Sequence, residues 1–187
     1  MRICSKKYSQ RMEATITKNF SIDEPIEKVW AGISNPLEIS GCVPGAEITE
    51  QVDENNYKGK VGLKFGPVKA KYDGQITIEQ MDHDAHTMTL VGKGLDSKGK
   101  GSAEMTMNGA VVAEGDGANV DFKMVVNIQG TLAQFGARLI NDVSAHLMDQ
   151  FVDNFKKLLA GEEFNNNLKA GSVMGAAVKG LFSKKSD

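Results

Sequence analysis

The sequence predicts an α+β protein in which a curved antiparallel sheet of about six to seven strands wraps around one long C-terminal helix. Two patterns predict this fold. Apolar and polar residues alternate along successive segments separated by short turns, which indicates strands that pair antiparallel. A later segment repeats its apolar residues at steps of three and four, which indicates a helix with one apolar stripe. Because such a stripe must be buried, we expect the helix to lie on the concave face of the sheet.

One strand and two short helices open the fold. Residues 12–22 alternate in polarity, although Lys18 falls among the apolar positions. Residues 23–33 then carry apolar side chains at helical spacing. A second helix is predicted just after them, because Asn35 is a favourable N-cap and Pro36 suits the first helical position.

From residue 46 onward the chain reads as strands joined by turns. Each segment places apolar side chains on one face and polar side chains, many of them lysines, on the other. The strands are predicted over residues 46–52, 57–65, 68–81, 86–94, 102–114 and 118–130. Strand, turn and strand follow one another too closely for crossover connections, so we expect antiparallel neighbours throughout.

The long helix is predicted from Thr131 to about Gly161. Thr131 and Gln134 have the spacing of a capping box, which marks a helix start. A helix of about 30 residues is roughly 45 Å long. It can therefore lie across the whole sheet.

Composition indicates one globular domain with tails. The chain has 187 residues, of which 41% are hydrophobic and 25% charged. We expect a flexible basic tail at 1–11, the domain at 12–160, and a flexible linker with a weakly amphipathic basic tail at 161–187. No run of apolar residues is long enough to span a membrane, and the N-terminus lacks the apolar stretch of a signal peptide. We therefore expect a cytoplasmic protein.

Charge is distributed unevenly along the chain. Residues 1–11 carry four basic and no acidic side chains, and residues 168–187 carry four basic and one acidic. Residues 12–167 consequently have a net charge of −9. An acidic body repels phosphate, so we expect no nucleic-acid partner. Basic ends suit contact with an anionic surface, although tails without a function are equally consistent with the sequence. Met12 is an alternative start of the protein, in which case residues 1–11 are not part of it.

Three stretches of the chain resemble a known family. They are residues 20–50, 57–82 and 127–140, with "CVPGAE" (42–47) and "GPVKAKYDG" (66–74) the most specific. The layout resembles the SRPBCC, or START-like, superfamily with its helix-grip fold, and within it the G subunit of carbon monoxide dehydrogenase. The resemblance covers about residues 12–160. It implies an apolar cavity, and a molybdenum carbon monoxide dehydrogenase or similar hydroxylase that the protein recruits to the membrane.

Apolar side chains dominate the predicted concave face. Methionines are frequent among them, and their unbranched thioether chains suit a pocket for a long, pliable apolar ligand, although a methionine stripe is also ordinary core. We expect a lipid or quinone to bind there and no other cofactor. The predicted lining consists of Phe20, Leu63, Phe65, Tyr72, Met88, Met105, Met107, Phe122, Met124, Phe135 and Leu139.

Catalytic and metal sites are not expected. The stretch "DHDAH" (82–86) reads as a hairpin turn, where Asp and His are common. Cys42 has no base near it in sequence, and Lys18 and Tyr72 are the main polar groups predicted to face the cavity. A non-catalytic binding protein is therefore the leading hypothesis. The alternatives are an enzyme of the polyketide cyclase or hydrolase kind acting on a hydrophobic substrate, which the same fold supports, and an adaptor with a filled core.

The segment 173–185 has the pattern of a weak interfacial helix. On a helical wheel its apolar side chains share one half, and lysines follow at its end. We expect a reversible contact with the anionic inner face of the cell membrane, with a partner-docking segment and an inert tail as alternatives. The predicted contact residues are Val173, Met174, Val178, Lys179, Leu181, Phe182, Lys184 and Lys185.

Overall fold

In the part of the chain that the structure describes, seven strands and a long C-terminal helix form the fold. The structure, a computed structural model, describes residues 10–65 and 68–164, apart from the side chains of Phe65 and Val68. The elements in chain order are β1 (Arg11–Ile22), α1 (Ile26–Ile33), α2 (Pro36–Ser40), β2 (Ala46–Gln51), β3 (Asn56–Phe65), β4 (Val68–Asp82), β5 (Thr87–Asp96), β6 (Gly101–Glu114), β7 (Gly117–Gly130), a 3₁₀ helix (Thr131–Phe135) and α3 (Gly136–Leu159).

All seven strands belong to one antiparallel sheet. Their order is β1-β7-β6-β5-β4-β3-β2, so β1 and β2 are the edge strands. Each strand from β2 to β7 pairs with its neighbour in sequence, and β1 closes the row by pairing with β7. The curved sheet with a long C-terminal helix is the fold that the sequence predicts, and that prediction is confirmed.

A row of glycines crosses the middle of the sheet. Gly59 on β3 pairs with Gly74 on β4, which pairs in turn with Gly94 on β5. A Cβ atom on Gly74 would overlap the carbonyl oxygen of Lys93, and one on Gly59 would lie 2.8 Å from that of Glu47. Neighbouring backbone therefore approaches here more closely than any side chain allows, as glycines in strands permit at bends.

The two predicted helix starts differ in outcome. Asn35 caps α2 as expected, because its side-chain oxygen accepts a hydrogen bond from the backbone N–H of Leu37 at 3.2 Å. The prediction of a capping box at Thr131 is wrong. The backbone N–H of Thr131 donates to the carbonyl oxygen of Lys100, and the chain forms a 3₁₀ turn before α3 begins at Gly136, where φ is 77°.

Buried side chains form two separate clusters on the concave side. The first joins the ends of β1, β6 and β7 to α1 and the C-terminal half of α3, and the second joins the opposite ends of the strands to the 3₁₀ helix and the N-terminal half of α3. The buried members of the first are Phe20, Ile22, Val29, Trp30, Cys42, Met88, Val111, Ala118, Val120, Phe122, Val152 and Phe155. Those of the second are Ala14, Ala70, Tyr72, Ile128, Leu132, Ala133 and Ile140.

Candidate functional site

Between the two clusters, the concave face carries apolar side chains that are only half-buried. Met105 pairs across strands with Gly92 and Val126, and Met124 pairs with Met107 and Ile16. Met105 and Met124 are half-buried and belong to neither cluster. A filled core would bury an inward-facing methionine completely, because protein interiors are close-packed. The part of the concave face around Met105 and Met124, called the loose zone below, is therefore less completely packed than the buried clusters on either side of it.

Inward-facing side chains of β1 and β4 are half-buried as well. The helix α3 makes most of its strand contacts with β1, the strand at one edge of the sheet. Ile76 on β4 faces inward and is half-buried. The alternation of polar and apolar residues along β1 and β4 places Ile16 and Ile76 on the concave face. Nothing in the sequence distinguishes these two residues from fully buried core residues.

Methionine side chains lie over inward-facing glycines on neighbouring strands. A Cβ atom on Gly92 would lie 2.9 Å from Cγ of Met105, and one on Gly109 would lie 3.5 Å from Cγ of Met88. The glycines thus leave space that the thioether chains occupy. An unbranched chain can change rotamer to vacate such space, which makes this wall adaptable.

The structure distributes the eleven predicted lining residues unevenly. Phe20, Tyr72, Met88 and Phe122 are buried in the two clusters, and Leu63, Met107 and Leu139 pack against them. Met105 and Met124 lie in the loose zone between the clusters. The side chain of Phe65 is outside the described residues. Phe135 is 45% exposed, because it ends the 3₁₀ turn rather than lying within the predicted helix. A lining role for these residues stays a prediction.

The two polar groups predicted to face the cavity are both constrained. The ammonium group of Lys18 donates to Oδ1 of Asp149 on α3 at 2.7 Å, so Lys18 spans the gap between β1 and the helix. This hydrogen bond, together with the positive charge of Lys18, lowers the pKa of Asp149. Burial, reinforced by the charge of Asp96, raises the pKa of the Tyr72 phenol and keeps it neutral.

Cys42 is packed as a small apolar side chain. It is fully buried, and burial, followed by the negative charge of Glu38, raises its pKa to about 12. Nucleophilic cysteines need an accessible thiolate, which this environment disfavours. The carbonyl oxygen of Cys42 accepts a hydrogen bond from the buried amide of Asn154 at 3.1 Å, and this bond ties the loop after α2 to α3.

The histidines of the turn at 82–86 pack against the tryptophan of α1. The indole N–H of Trp30 donates to Nδ1 of His83 at 3.0 Å, and the ring of His86 meets Trp30 edge-on with centroids 5.4 Å apart. The carboxylate of Asp82 accepts from the backbone N–H groups of Asp84 and Ala85. Within residues 10–65 and 68–164 no group of three or more His, Cys, Asp or Glu side chains is arranged to hold a metal ion.

The convex face differs in chemistry from the concave one. It carries two open grooves of about 450 and 810 Å³. Polar strand residues such as Lys93 and Glu104 line the first, and others such as Glu79 and Asn108 line the second. Charged and amide side chains contribute to the walls of both grooves.

The predicted membrane segment, 173–185, lies outside the described residues. The last described residue, Phe164, packs against the first cluster. Among the helices of the described chain, none is both long enough and apolar enough to cross a membrane.

Comparison with known proteins supports the architecture. The family model for the G subunit of carbon monoxide dehydrogenase (CoxG) matches residues 19–160, about three quarters of the chain. No curated protein sequence matches the chain.

Three solved structures illustrate how widely the fold is shared. A conserved protein from Geobacillus kaustophilus is 20% identical, with a TM-score of 0.71 over 80% of this chain and 96% of its own. An uncharacterised protein from Rhizobium leguminosarum is 14% identical, with a TM-score of 0.59 over 83% of this chain and 100% of its own. The Zhui aromatase/cyclase from Streptomyces sp. R1128 is 7% identical, with a TM-score of 0.55 over 80% of this chain and 94% of its own. At these identities the likeness shows the fold alone.

Proposed function

Because the chain belongs to the CoxG family, named for the G subunit of carbon monoxide dehydrogenase, we propose that it is a non-catalytic protein that binds a lipid or a quinone between its sheet and α3. In this proposal the protein associates with the cytoplasmic face of the cell membrane. There it recruits a carbon monoxide dehydrogenase-type molybdenum enzyme, and a bound quinone gives that recruitment a purpose in electron transfer.

The half-buried methionine zone is the observation that supports ligand binding most directly. Its side chains are apolar and uncharged, so they match a hydrocarbon chain or an isoprenoid better than a charged metabolite. Packed clusters at both ends of the concave face join the sheet to the helix. A ligand that displaces water from the middle gains the free energy of burying apolar surface without unfolding either cluster.

The state of the ionisable groups favours binding over catalysis. General acid–base catalysis requires an ionisable group that is free to exchange a proton with the substrate. Lys18 is instead paired with Asp149, and the Cys42 thiol is buried and neutral.

Membrane association and recruitment rest on other observations. The apolar and basic pattern of 173–185 suits a reversible contact with an anionic leaflet. The family name supports a carbon monoxide dehydrogenase-type partner.

Ligand binding is tested by extracting the purified full chain with organic solvent and identifying any lipid or quinone by mass spectrometry. We expect a stoichiometric apolar molecule in the wild type. Met105→Gln, which places an amide in the loose zone, should reduce its recovery about tenfold, since an unpaired buried amide is costly. Thr106→Gln is the matched control, because Thr106 is adjacent on β6 but exposed on the convex face, and it should retain the ligand. An empty wild type, or equal loss in both variants, contradicts the proposal.

An enzyme of the polyketide cyclase or hydrolase kind is the second candidate, and Tyr72 is the observation that favours it. Its buried, neutral phenol faces the concave side, where it can donate a proton or a hydrogen bond. Incubating wild type and Tyr72→Phe with the extracted molecule distinguishes the two functions. A carrier returns the molecule unchanged in both cases, whereas an enzyme converts it and loses that conversion in the variant.

A further inference from the structure

Five lysines converge at one end of the sheet. Lys64 and Lys69 pair directly across β3 and β4, and Lys71 occupies the next outward position on β4. Lys98 and Lys100 lie in the turn between β5 and β6. All five side chains are exposed.

A hydrogen-bonded contact holds these two basic segments together. The backbone N–H and the hydroxyl of Ser97 both donate to the carbonyl oxygen of Lys71, at 2.9 and 3.0 Å. The turn that carries Lys98 and Lys100 is therefore fixed beside the hairpin that carries Lys64 and Lys69. The cluster is a property of the folded sheet, since its members come from separate segments of the chain.

Two carboxylates lie near the cluster: Asp73 is the next outward residue after Lys71 on β4, and Asp96 directly precedes the turn. Among the described residues, none of the five lysines forms an ion pair. The carboxylate of Asp96, which lies closest in sequence to the turn, accepts from the backbone N–H groups of Lys98 and Lys100 at 2.9 and 3.2 Å. Like charges directly opposite each other on paired strands are destabilising. The arrangement of Lys64 and Lys69 therefore works against folding unless an external anion offsets it.

Exposed apolar side chains accompany the charges. Leu95 is 68% exposed on the convex face beside Asp96, and Phe135 is 45% exposed on the 3₁₀ helix. That helix begins at Thr131, whose backbone N–H donates to the carbonyl oxygen of Lys100 at 3.0 Å. Exposed leucine and phenylalanine side chains on the same end of a domain as lysines are a combination suited to the headgroup region of a bilayer.

We propose that this basic end, comprising Lys64, Lys69, Lys71, Leu95, Lys98, Lys100 and Phe135, docks the folded domain on an anionic lipid surface. The inference rests on the proposed function in placing the protein at a membrane. It goes further by assigning a contact to the domain itself, separate from the C-terminal tail. Since the body of the protein is acidic, repulsion from the leaflet disfavours other orientations and leaves the basic end facing it.

A further observation, on the hairpin that carries Lys64 and Lys69, favours lipid over an acidic protein. The inner side of the same hairpin carries Leu63 and Tyr72 of the second apolar cluster. Docking therefore brings the apolar interior next to the bilayer, the reservoir of any lipid-soluble ligand.

The test measures sedimentation of the full chain with vesicles of phosphatidylcholine containing about 30% phosphatidylglycerol, at about 0.1 M salt. The variant Lys64→Gln, Lys69→Gln, Lys71→Gln removes three charges from the basic end. Its control is Lys123→Gln, Lys156→Gln, Lys157→Gln, which removes three exposed charges elsewhere. We expect the partition coefficient to fall about tenfold or more in the first variant and less than about threefold in the control. An equal fall, or no fall, overturns the proposal.

A chain ending at Phe164 separates this proposal from the proposed function. If the truncated chain still binds and the basic-end variant does not, the domain carries the contact as proposed. If truncation abolishes binding and the basic-end variant binds as wild type, the tail alone carries it, and the inference fails while the membrane association stands. If the wild type does not bind anionic vesicles, both fail. Normal vesicle binding with loss of a co-purifying acidic protein would reassign the surface to a protein partner and overturn the proposal.

Discussion

At the scale of single residues, burial determines the chemistry of Cys42. We expect the thiol to be inert towards Ellman's reagent at about pH 8 in the native protein, because a pKa of about 12 leaves almost no thiolate. The measurement uses a Cys4→Ser variant, so that Cys42 is the only cysteine present. Denaturant should release one reactive thiol per chain. Rapid stoichiometric labelling of the folded protein would show that the site opens.

The same pKa has a consequence for stability at alkaline pH. The unfolded thiol ionises near its ordinary value of 9.0, whereas the folded thiol does so only at about 12. Between these values the unfolded state loses the proton first, so the contribution of Cys42 to the free energy of unfolding is full below pH 9.0 and falls as pH rises towards 12.

The two predicted helix caps show when a sequence pattern is enough to predict a hydrogen bond. The Asn35 cap is local, because donor and acceptor are two residues apart, and the sequence predicts it correctly. The cap at Thr131 is not local. Its backbone N–H is taken by the carbonyl oxygen of Lys100, 31 residues earlier, and only the strand pairing reveals that competitor.

At the scale of elements, the glycine row decides how the sheet bends. Gly74→Ala should lower the free energy of unfolding by about 2 kcal/mol or more, because the new Cβ would overlap the Lys93 carbonyl oxygen and backbone must move. Gly62→Ala is the control, since a Cβ there meets only the Gly45 carbonyl oxygen at 4.0 Å. Its effect should stay within about 0.5 kcal/mol. Urea unfolding of both variants checks this, and similar midpoints would argue against a bend that depends on Gly74.

Strand positions were predictable because alternation is a strong signal over long strands. The sequence could not predict which inward residues remain half-buried. Met88 and Met105 each take an inward position between polar residues of an alternating strand, yet Met88 is buried in the first cluster and Met105 is not. The difference arises because α1 and the C-terminal half of α3 join Met88 in the first cluster, and this depends on packing between distant elements.

At the scale of the whole molecule, the end of the folded domain can be tested. A chain ending at Phe164 should unfold at the same temperature as the full chain, whereas one ending at Gly161 should lose about 1 kcal/mol. The reason is that Phe164 is partly buried against the first cluster, so the shorter chain gives up that apolar contact. Calorimetry of both truncations provides the measurement. Equal stability would show that Phe164 contributes nothing, and Phe164→Ala in the full chain is the matching control.

The basic end is likewise formed only when the whole molecule folds. The sequence shows lysines alternating along several strands, which is ordinary for the solvated face of a sheet. Register and strand ends bring five of them together, and the hydrogen bonds of Ser97 fix the turn beside the hairpin. Charge counted along the chain could not predict this patch, because its members are up to 36 positions apart.

The separation of the two packed clusters has an evolutionary consequence. The residues that hold the sheet to the helix differ from those in the loose zone between them. Substitution of Met105 or Met124 therefore changes the shape offered to a guest molecule while leaving most of the packing energy in place. Descendants of one ancestral scaffold can diverge in what they carry without first losing the ability to fold.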